Sequence, residues 1–389
     1  MDLDVTPEER RFRDEVRTWL HENAPKEPRP PTEAEARPFD LAWQRAQFDG
    51  GWAGVSWPKE YGGRGLSLIQ QMIWHEEYAH ADAPYIGSCF VGINHAGPTL
   101  ITRGSDEQKA CHLPRILAGE VVWCQGFSEP GAGSDLASLS TRAEIDGDDL
   151  VVNGQKIWTS FADVADYQEL LVRTNTDGGK HAGITWVIGD MTLPGVEVRP
   201  IRTMDGGAEF CEVFYTDVRI PLANVVGEVD DGWSVAMSTL GFERGTAFTA
   251  RQIAVARSLE KLMTIAKDRP SPSGVGTAFD DDEIAMRLAR LRAEVTAMRA
   301  MTLAAISRAR RSPVPGPEGS MLKIFLADLE VRLRRLGLEI LGPDGLVMGT
   351  AADWPNAYLR SHASKIGGGT SEIQRNIVGE RVLGLPKHR

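Results

Sequence analysis

The sequence is short of cysteine, of long apolar runs and of positive charge, and each shortage excludes a class of protein. Its four cysteines, Cys89, Cys111, Cys124 and Cys211, have the spacing of neither a disulfide framework nor a metal site. No stretch approaches the roughly 18 apolar residues that a membrane-spanning helix requires. A formal net charge of −11 argues against nucleic acid or an anionic membrane as the main partner.

The cysteine usage fits a reducing compartment, because a chain of 389 residues does not need disulfides to stabilise its core. The first residues lack the basic and apolar regions of a signal peptide. We therefore expect a soluble, cytoplasmic protein. With 42% hydrophobic residues, the chain suffices for two or three domains or one large composite core.

Residues 1–120 have mostly helical spacing. A capping box at TPEE, with Thr6 as the N-cap and Glu9 three residues later, begins the first helix. The Pro-rich segment PKEPRPP ends it, and helical patterns resume around 39–49 and 67–81. This part of the chain is therefore predicted to be a helical domain with loops.

The rest of the chain divides into a β-rich and a helical part. Short β-branched segments such as LVVNGQKIW and CEVFYTDVRI lie between turns throughout residues 121–231. Long helical runs fill residues 232–389, at roughly 232–267, 283–311 and 318–341. This order predicts an α+β protein with an N-terminal helical domain, a middle sheet or barrel domain and a C-terminal helical bundle.

Two neighbouring motifs in the β-rich part could hold a planar cofactor. GFSEPGAGSD (126–135) packs glycines and small hydroxyls between strands, without the strand–GxGxxG–helix context of a dinucleotide-binding fingerprint. NGQKIWTS (153–160) places a tryptophan beside two hydroxyls. Taken alone, each motif is explained more simply, by a cluster of turns and by a packing tryptophan.

A candidate base lies in GFERGTAF (241–248), where Glu243 stands among apolar residues and directly before Arg244. Spacing alone fits a surface Glu–Arg pair on a helix equally well. A carboxylate in apolar surroundings has a raised pKa, however, and this makes it a better base near neutral pH.

Together these motifs resemble the acyl-CoA dehydrogenase family of flavoproteins over nearly the whole chain. The matching segments, in the family's order, are WPKEYGGRGLS (57–67), GFSEPGAGSD, NGQKIWTS, EVFYTDVRIP (212–221) and GGGTSEIQRNIVGE (367–380). The resemblance implies the acyl-CoA dehydrogenase fold, with a four-helix bundle as its last domain, non-covalent FAD and an acyl-CoA substrate, as in fatty acid β-oxidation. It also implies loss of an α-proton, transfer of the β-hydrogen as hydride to flavin N5 and an electron-transfer flavoprotein as acceptor.

The resemblance places four residues at the flavin. Phe127 and Ser128 would lie along its polar edge and Trp158 against its ring. Ser160 matches a position whose hydroxyl faces N5, where reduction changes the hydrogen-bond demand.

Three further positions carry over to the rest of the ligands. Thr370 and Glu372 match residues that contact the phosphate and adenosine parts of FAD. Ser134 matches a position that binds the thioester ligand.

The run Gly367–Gly369 stands where many family members have an aromatic residue and the catalytic Glu, which aligns with Gly368. The family's other arrangement puts the base on the first long helix of the C-terminal domain, where this chain has Glu243. We therefore predict Glu243 as the α-proton base, Arg244 beside it in catalysis and substrate binding, and Gly368 as a backbone N–H donor to the thioester carbonyl. The missing side chains also widen the cavity, which predicts a bulky or branched acyl group.

Two segments depart from the pattern with which homomeric members hold a neighbour's FAD. AKDRPSPSGVGTAFDDDE (266–283) lacks the family's Phe-Gly, and EILGPDG (339–345) contains Pro343, which has no N–H to donate. A heteromer with a homologous acyl-CoA dehydrogenase subunit and a homo-oligomer with variant contacts both remain open. An oxidase or monooxygenase on the same fold and a non-catalytic flavin-binding subunit are the alternatives, although Glu243 argues against the second.

Overall fold

The computed structural model describes residues 6–242, 247–309, 318–348 and 354–386. Its N-terminal helices are α1 (Pro7–Asn23), α2 (Glu33–Asp49), α3 (Leu68–His80), α4 (Gly97–Arg103) and α5 (Asp106–Leu117). The core of α1, α2 and α3 is aromatic, with the rings of Trp52 and Trp74 stacked at 4.9 Å. The predicted capping box at the start of α1 is present.

Helix α2 begins at Glu33, earlier than the expected residue 39, and runs through Pro38. Two ion pairs explain the difference, since Arg29 contacts Glu33 at 2.5 Å and the fully buried Asp40 at 2.8 Å. Tertiary contacts thus override the helix-breaking tendency of proline.

The middle domain is a β-sheet, as predicted. Its strands are β1 (Trp123–Gly126), β2 (Arg142–Asp146), β3 (Asp149–Ser160), β4 (Tyr167–Arg173), β5 (Ile184–Asp190), β6 (Val196–Ile201) and β7 (Phe210–Pro221). They are arranged in the order β1-β4-β2-β3-β7-β6, with β5 against β4. β3 and β7 pair antiparallel, and β1 lies parallel to β4. Since β1 leads into the Gly-rich loop and β3 ends in the tryptophan motif, one sheet carries both cofactor motifs.

The C-terminal part is helical. It contains α6 (Gly232–Phe242), α7 (Ala247–Asp268), α8 (Asp282–Ala309), α9 (Glu318–Leu341), α10 (Trp354–Ser361) and α11 (Ser371–Ile377). Leucines of α7, α8 and α9 form its core. The predicted helical runs correspond to α6 with α7, to α8 and to α9, so the expected fold class is confirmed.

Ion pairs dock the C-terminal helices on the N-terminal domain. Arg257 on α7 contacts Asp82 at 2.7 Å, and Arg299 on α8 contacts Glu76 at 3.0 Å. Among the described helices, none combines the length and apolar character needed to cross a membrane.

Candidate active site

The Gly-rich loop after β1 makes a tight turn whose outer side is open. Glu129 and Ala132 exchange backbone hydrogen bonds of 3.0 Å, which close the turn around Pro130. Gly131 and Gly133 have no positive φ, and a Cβ at either would meet no described atom within 4 Å. The fold itself therefore does not require these glycines, and their missing side chains leave room for a ligand close to the backbone.

A buried ion pair fixes the base of this loop. Lys156 on β3 donates to Glu129 Oε1 at 2.8 Å and to the carbonyl oxygen of Phe127 at 3.1 Å. Glu129 also accepts from the N–H groups of Ser140 and Thr141 at 2.7 and 2.9 Å. Burial alone would raise the pKa of Glu129, but the Lys156 ammonium and these donors lower it to about 2. Burial lowers the pKa of Lys156 to about 8, so both groups are charged at neutral pH.

Trp158 presents its ring at a distortion of β3. The pairing with β7 shifts register between Lys156 and Thr159, and Trp158 within this bulge has a φ of 60°. Positive φ strains a bulky residue, and such strain and bulges concentrate at functional sites. The residue is 55% exposed, and its ring meets that of Phe210 edge-on at 6.1 Å. Much of the indole is therefore available to a planar ligand.

Hydrogen bonding joins the loop to this strand. The N–H of Ile157 donates to the carbonyl of Ser128 at 3.0 Å, so Ser128 lies beside Trp158. Ser128 and Ser160 are both half-buried. Phe127 is buried, and its side chain belongs to the core. The structure thus brings the four residues predicted for the flavin to one end of β3.

Ser134, the predicted ligand contact, is exposed at the far end of the loop. The next residue, Asp135, accepts hydrogen bonds from Lys180 Nζ at 2.7 Å and Ser138 Oγ at 2.5 Å. These bonds anchor the backbone beside Ser134 and leave its side chain facing solvent.

At the bend before α11, backbone geometry accounts for two of the three glycines. Gly368 and Gly369 have left-handed φ values of 67° and 87°, which L side chains rarely adopt. A Cβ on Gly369 would also lie 2.6 Å from Gln374 Nε2. Gly367 has no positive φ, and a Cβ there would make only an ordinary contact with Ala363. The absence of a side chain at Gly367 therefore leaves space rather than relieving a clash.

Two side chains hold this bend from the helical side. The buried amide of Gln374 donates to the carbonyl of Gly368 at 2.9 Å. Lys323 on α9, 4% exposed, donates to the carbonyl of Gly369 at 2.6 Å. A charge-assisted hydrogen bond of this kind restrains the peptide strongly, so the amides of the bend have a fixed orientation.

Thr370 and Glu372 follow the bend directly. Thr370 is the N-cap of α11, where its Oγ1 accepts from the N–H of Ile373 at 3.3 Å. A threonine hydroxyl that accepts one hydrogen bond still has its own proton to donate. Glu372 is exposed and pairs with Arg375 at 3.2 Å. Thr370 can therefore donate to an anionic group, whereas Glu372 offers only acceptor oxygens.

An arginine links these C-terminal residues to the end of β3. Arg360 on α10 forms a close ion pair with Glu209 and contacts Asp205 at 3.6 Å. The carbonyl of Glu209 accepts from the N–H of Phe161 at 2.8 Å, directly after Ser160. Through this link, the segment leading to the glycine bend is anchored at the strand end that carries Trp158 and Ser160.

Glu243 and Arg244 lie outside the described residues, but the helix that leads to them is well held. α6 ends at Phe242. On this helix, the hydroxyl of Thr239 is 2.9 Å from that of Thr99 on α4, and both side chains are fully buried. The segment directly before the predicted base is therefore fixed against the N-terminal domain.

Comparison with known proteins identifies the family. Three family profiles match successive parts of the chain, namely acyl-CoA dehydrogenase N-terminal domain at 6–120, middle domain at 124–218 and C-terminal domain at 230–383. Acyl-CoA dehydrogenase IpdE1 of Mycobacterium tuberculosis is 42% identical over 385 residues, covering 97% of both chains. The chain belongs to the acyl-CoA dehydrogenase family.

Solved structures of this family agree over the full length. The ChsE4-ChsE5 complex from Mycobacterium tuberculosis contains a chain with 34% identity and a TM-score of 0.84. A chain of the Tcur3481-Tcur3483 steroid ACAD has 31% identity and a TM-score of 0.85. Both likenesses cover 100% of each chain. This acyl-CoA dehydrogenase is therefore similar to chains from two structures, and the name of each structure lists two different proteins.

The family implies FAD, and the described residues fit it. The open turn at Gly131 and Gly133 and the exposed ring of Trp158 leave space for a planar group. Ser128, in the loop, and Ser160, at the end of β3, are both half-buried, and Thr370 can donate to a phosphate.

Four supporting residues of the site were not predicted, and they are Lys156, Glu129, Lys323 and Gln374. A signal exists for Lys156, because it shares the inward-facing parity of Leu150 and Val152 on β3. Glu129 and Lys323 are recognised only by contacts with segments distant in the sequence. Gln374 contacts the bend five to six residues before it, but no pattern in the sequence predicts that hydrogen bond.

Proposed function

We propose that this acyl-CoA dehydrogenase removes the α- and β-hydrogens of a bulky, ring-bearing acyl-CoA, with Glu243 as the α-proton base. The observation that carries this proposal is the bend before α11. Gly368 stands where many family members have the base. Its φ of 67° is left-handed, a conformation that glycine adopts readily and other residues rarely adopt. A base must then come from elsewhere, and Glu243 follows α6 directly. FAD, when bound, supplies the acceptor for the β-hydrogen and its electrons.

The residues around the bend have complementary tasks in this proposal. The N–H of Gly368 donates to the thioester carbonyl, which acidifies the α-carbon and stabilises the developing enolate. Lys323 and Gln374 hold the bend from the opposite side, so this donor is oriented before substrate arrives. Arg244, next to the base, would help to position the thioester.

The remaining predicted residues hold the ligands. Ser128, Ser160 and Trp158 line the flavin site, and Thr370 donates to the FAD phosphate while Glu372 accepts from its adenosine part. Ser134 binds the thioester ligand. An electron-transfer flavoprotein reoxidises the enzyme, as the family likeness suggests.

Two observations support a ring-bearing substrate, namely the lack of side chains at the glycine bend and the similarity to a steroid ACAD. The bend has no side chain at Gly367, Gly368 or Gly369, and the preceding Ile366 is 66% exposed. A structural neighbour is described as a steroid ACAD. Both features favour a fused-ring acyl group over a short linear one.

The acyl preference can be tested by anaerobic flavin bleaching with acyl-CoAs of graded bulk. We expect bleaching by a fused-ring acyl-CoA to exceed that by butyryl-CoA about tenfold or more, since small differences in pocket fit are worth that much. Gly367→Ala is the matched variant, because the chain itself accommodates its Cβ. It should slow bleaching by the ring-bearing substrate more than by butyryl-CoA. A strict preference for short linear chains would reject the bulky substrate.

We further infer that the chain works with a homologous second subunit. Arg269, in the first departing segment, is paired with Asp344 of the second at 2.5 Å. Glu339 is likewise bound by Arg287 and Arg335 at 2.5 and 3.2 Å. These contacts neutralise Arg269, Arg287 and Arg335 within the chain, so these arginines are poorly suited to bind a neighbour's pyrophosphate. The pairing in the names of two structural neighbours supports a heteromer.

Measurement of FAD per chain tests the heteromer. We expect the chain expressed alone to retain little flavin, and co-expression with a homologous subunit to restore it, because the partner supplies the missing FAD contacts. Absorbance of flavin against protein gives the ratio, and size-exclusion chromatography gives the assembly. Full flavin occupancy in the chain alone would favour the homo-oligomer.

A further inference from the structure

A cavity separate from the candidate active site opens between α7, α9, α10 and the loop before β7. Its volume is about 680 Å³, within the usual range of small-ligand sites. Polar side chains dominate the lining, and these are Asp205, Ser258, Lys261, Arg334, Asn356 and Arg360.

Arg334 is the unusual group in this cavity. Its Nη2 donates to Ser258 Oγ at 3.0 Å, and its guanidinium lies 4.9 Å from the centre of the Trp354 ring. The Nε atom is buried and has no hydrogen-bond partner among the described residues. Within that same part of the chain, no carboxylate lies within 4.0 Å of Arg334, and burial lowers its pKa. A cation so placed is unfavourable unless an anion joins it.

The surrounding arginines show that this arrangement is not typical of the domain. Arg332, two residues earlier, pairs with Glu294 at 2.5 Å, and Arg335 pairs with Glu339 at 3.2 Å. Lys261, one turn after Ser258 on α7, also lacks a carboxylate partner among the described residues. The chain has a net charge of −11, yet the described residues provide no ion pair to either cation. Glu330, one turn before Arg334, raises the pKa of Arg334 only as a more distant charge, and it already pairs with Arg251.

The third cation at the rim, Arg360, is already neutralised. It pairs with Glu209 and contacts Asp205, which also lines the cavity. The excess positive charge therefore belongs to Arg334 and Lys261.

We propose that this cavity is a binding site for a phosphate group, held by Arg334, Lys261 and the hydroxyl of Ser258. A guanidinium fork matches phosphate oxygens geometrically, and an ammonium adds a second charge-assisted contact. A dianionic phosphate neutralises both unpaired cations at once, which a single carboxylate does not. Free phosphate and the 3′-phosphate of a CoA compound are two sources of the same chemistry.

Calorimetric titration of the full chain, or of its complex, tests this site. The probes are inorganic phosphate, CoA and dephospho-CoA, at constant ionic strength set with chloride. We expect Arg334→Met to raise the Kd for inorganic phosphate about tenfold or more, the loss expected for a charge-assisted hydrogen bond. Arg335→Met is the matched control, because it removes an exposed, paired arginine at the next position, and it should bind as wild type does.

Thermal unfolding separates a binding role of Arg334 from a structural one, and the comparison of probes identifies the source of the phosphate. Without phosphate, Arg334→Met should unfold at a temperature no lower than wild type, since it removes an unpaired cation; a marked fall would assign Arg334 a purely structural role. If Arg334→Met weakens CoA but not dephospho-CoA, the source is the 3′-phosphate; an effect on phosphate alone assigns a free ion. No measurable phosphate binding, or equal binding by both variants, would overturn the proposal.

Discussion

Glu243→Gln is expected to slow the bleaching of bound flavin by acyl-CoA about 10²–10⁴-fold, the usual contribution of a general base. Glutamine has the size of glutamate but cannot accept the α-proton, so the acyl-CoA should still bind. The rate is measured by anaerobic stopped-flow absorbance of the flavin. Binding of the ligand is followed separately, from the change in the flavin spectrum on mixing with a non-oxidisable thioether analogue.

The matched control for this experiment is Glu372→Gln. Glu372 is an exposed carboxylate close to the glycine bend, paired only with Arg375 in the described structure. It should affect flavin retention more than the bleaching rate. If Glu243→Gln bleached as fast as wild type and Glu372→Gln did not bleach, the prediction of Glu243 as the base would be wrong.

Lys156→Met is expected to destabilise the protein by about 3–5 kcal/mol, because it leaves the carboxylate of Glu129 buried without its counter-ion. It also removes the hydrogen bond to the carbonyl of Phe127, so the Gly-rich loop loses its anchor and flavin should be released. Chemical denaturation followed by fluorescence gives the free energy of unfolding, and filtration of the native protein gives the retained flavin.

A surface ion pair beside the same loop provides the control. Lys180 contacts Asp135 at 2.7 Å, with both side chains more than half exposed. Lys180→Met should cost less than about 1 kcal/mol, the usual range for exposed pairs. If both variants lost the same free energy of unfolding, burial of the Lys156–Glu129 pair would not increase its contribution to stability, and the prediction would be wrong.

Acidification should weaken the same pair. The pKa of Glu129 is lowered from 4.5 to about 2 in the folded protein. Its contribution to stability is therefore fully present above pH 4.5 and is lost as the pH falls towards 2, by about 3 kcal/mol in total. In Glu129→Gln this part of the acid dependence should be missing from a pH series of unfolding measurements.

The fold could be predicted from the sequence where the signals are local. Alternation and turn residues located β3 and β7, and Thr6 with Glu9 located the start of α1. The predicted start of α2 was wrong, because the ion pairs of Arg29 with Glu33 and with the buried Asp40 outweigh the helix-breaking tendency of Pro38. The pair with Asp40 spans 11 residues and could not be predicted from a short pattern.

The candidate site follows the same division. Family motifs predicted Trp158 and Ser160, and the structure joins Ser128 to the same strand through the N–H of Ile157. The strained φ of Trp158 could not be predicted, since it arises from a register shift between β3 and β7. The support of the bend by Lys323 was equally inaccessible, because α9 and the bend meet only in the folded chain.

The contact of Lys323 with the glycine bend bears on how rigid the proposed acyl pocket is. Replacing bulky residues by glycine normally enlarges a pocket but also makes the backbone more flexible, because glycine has the greatest conformational freedom. Here the carbonyls of Gly368 and Gly369 are tethered by Gln374 and Lys323. The space left by the missing side chains is therefore bordered by restrained peptides. Under the proposed function, the pocket can hold a large acyl group and still fix the position of its α-carbon.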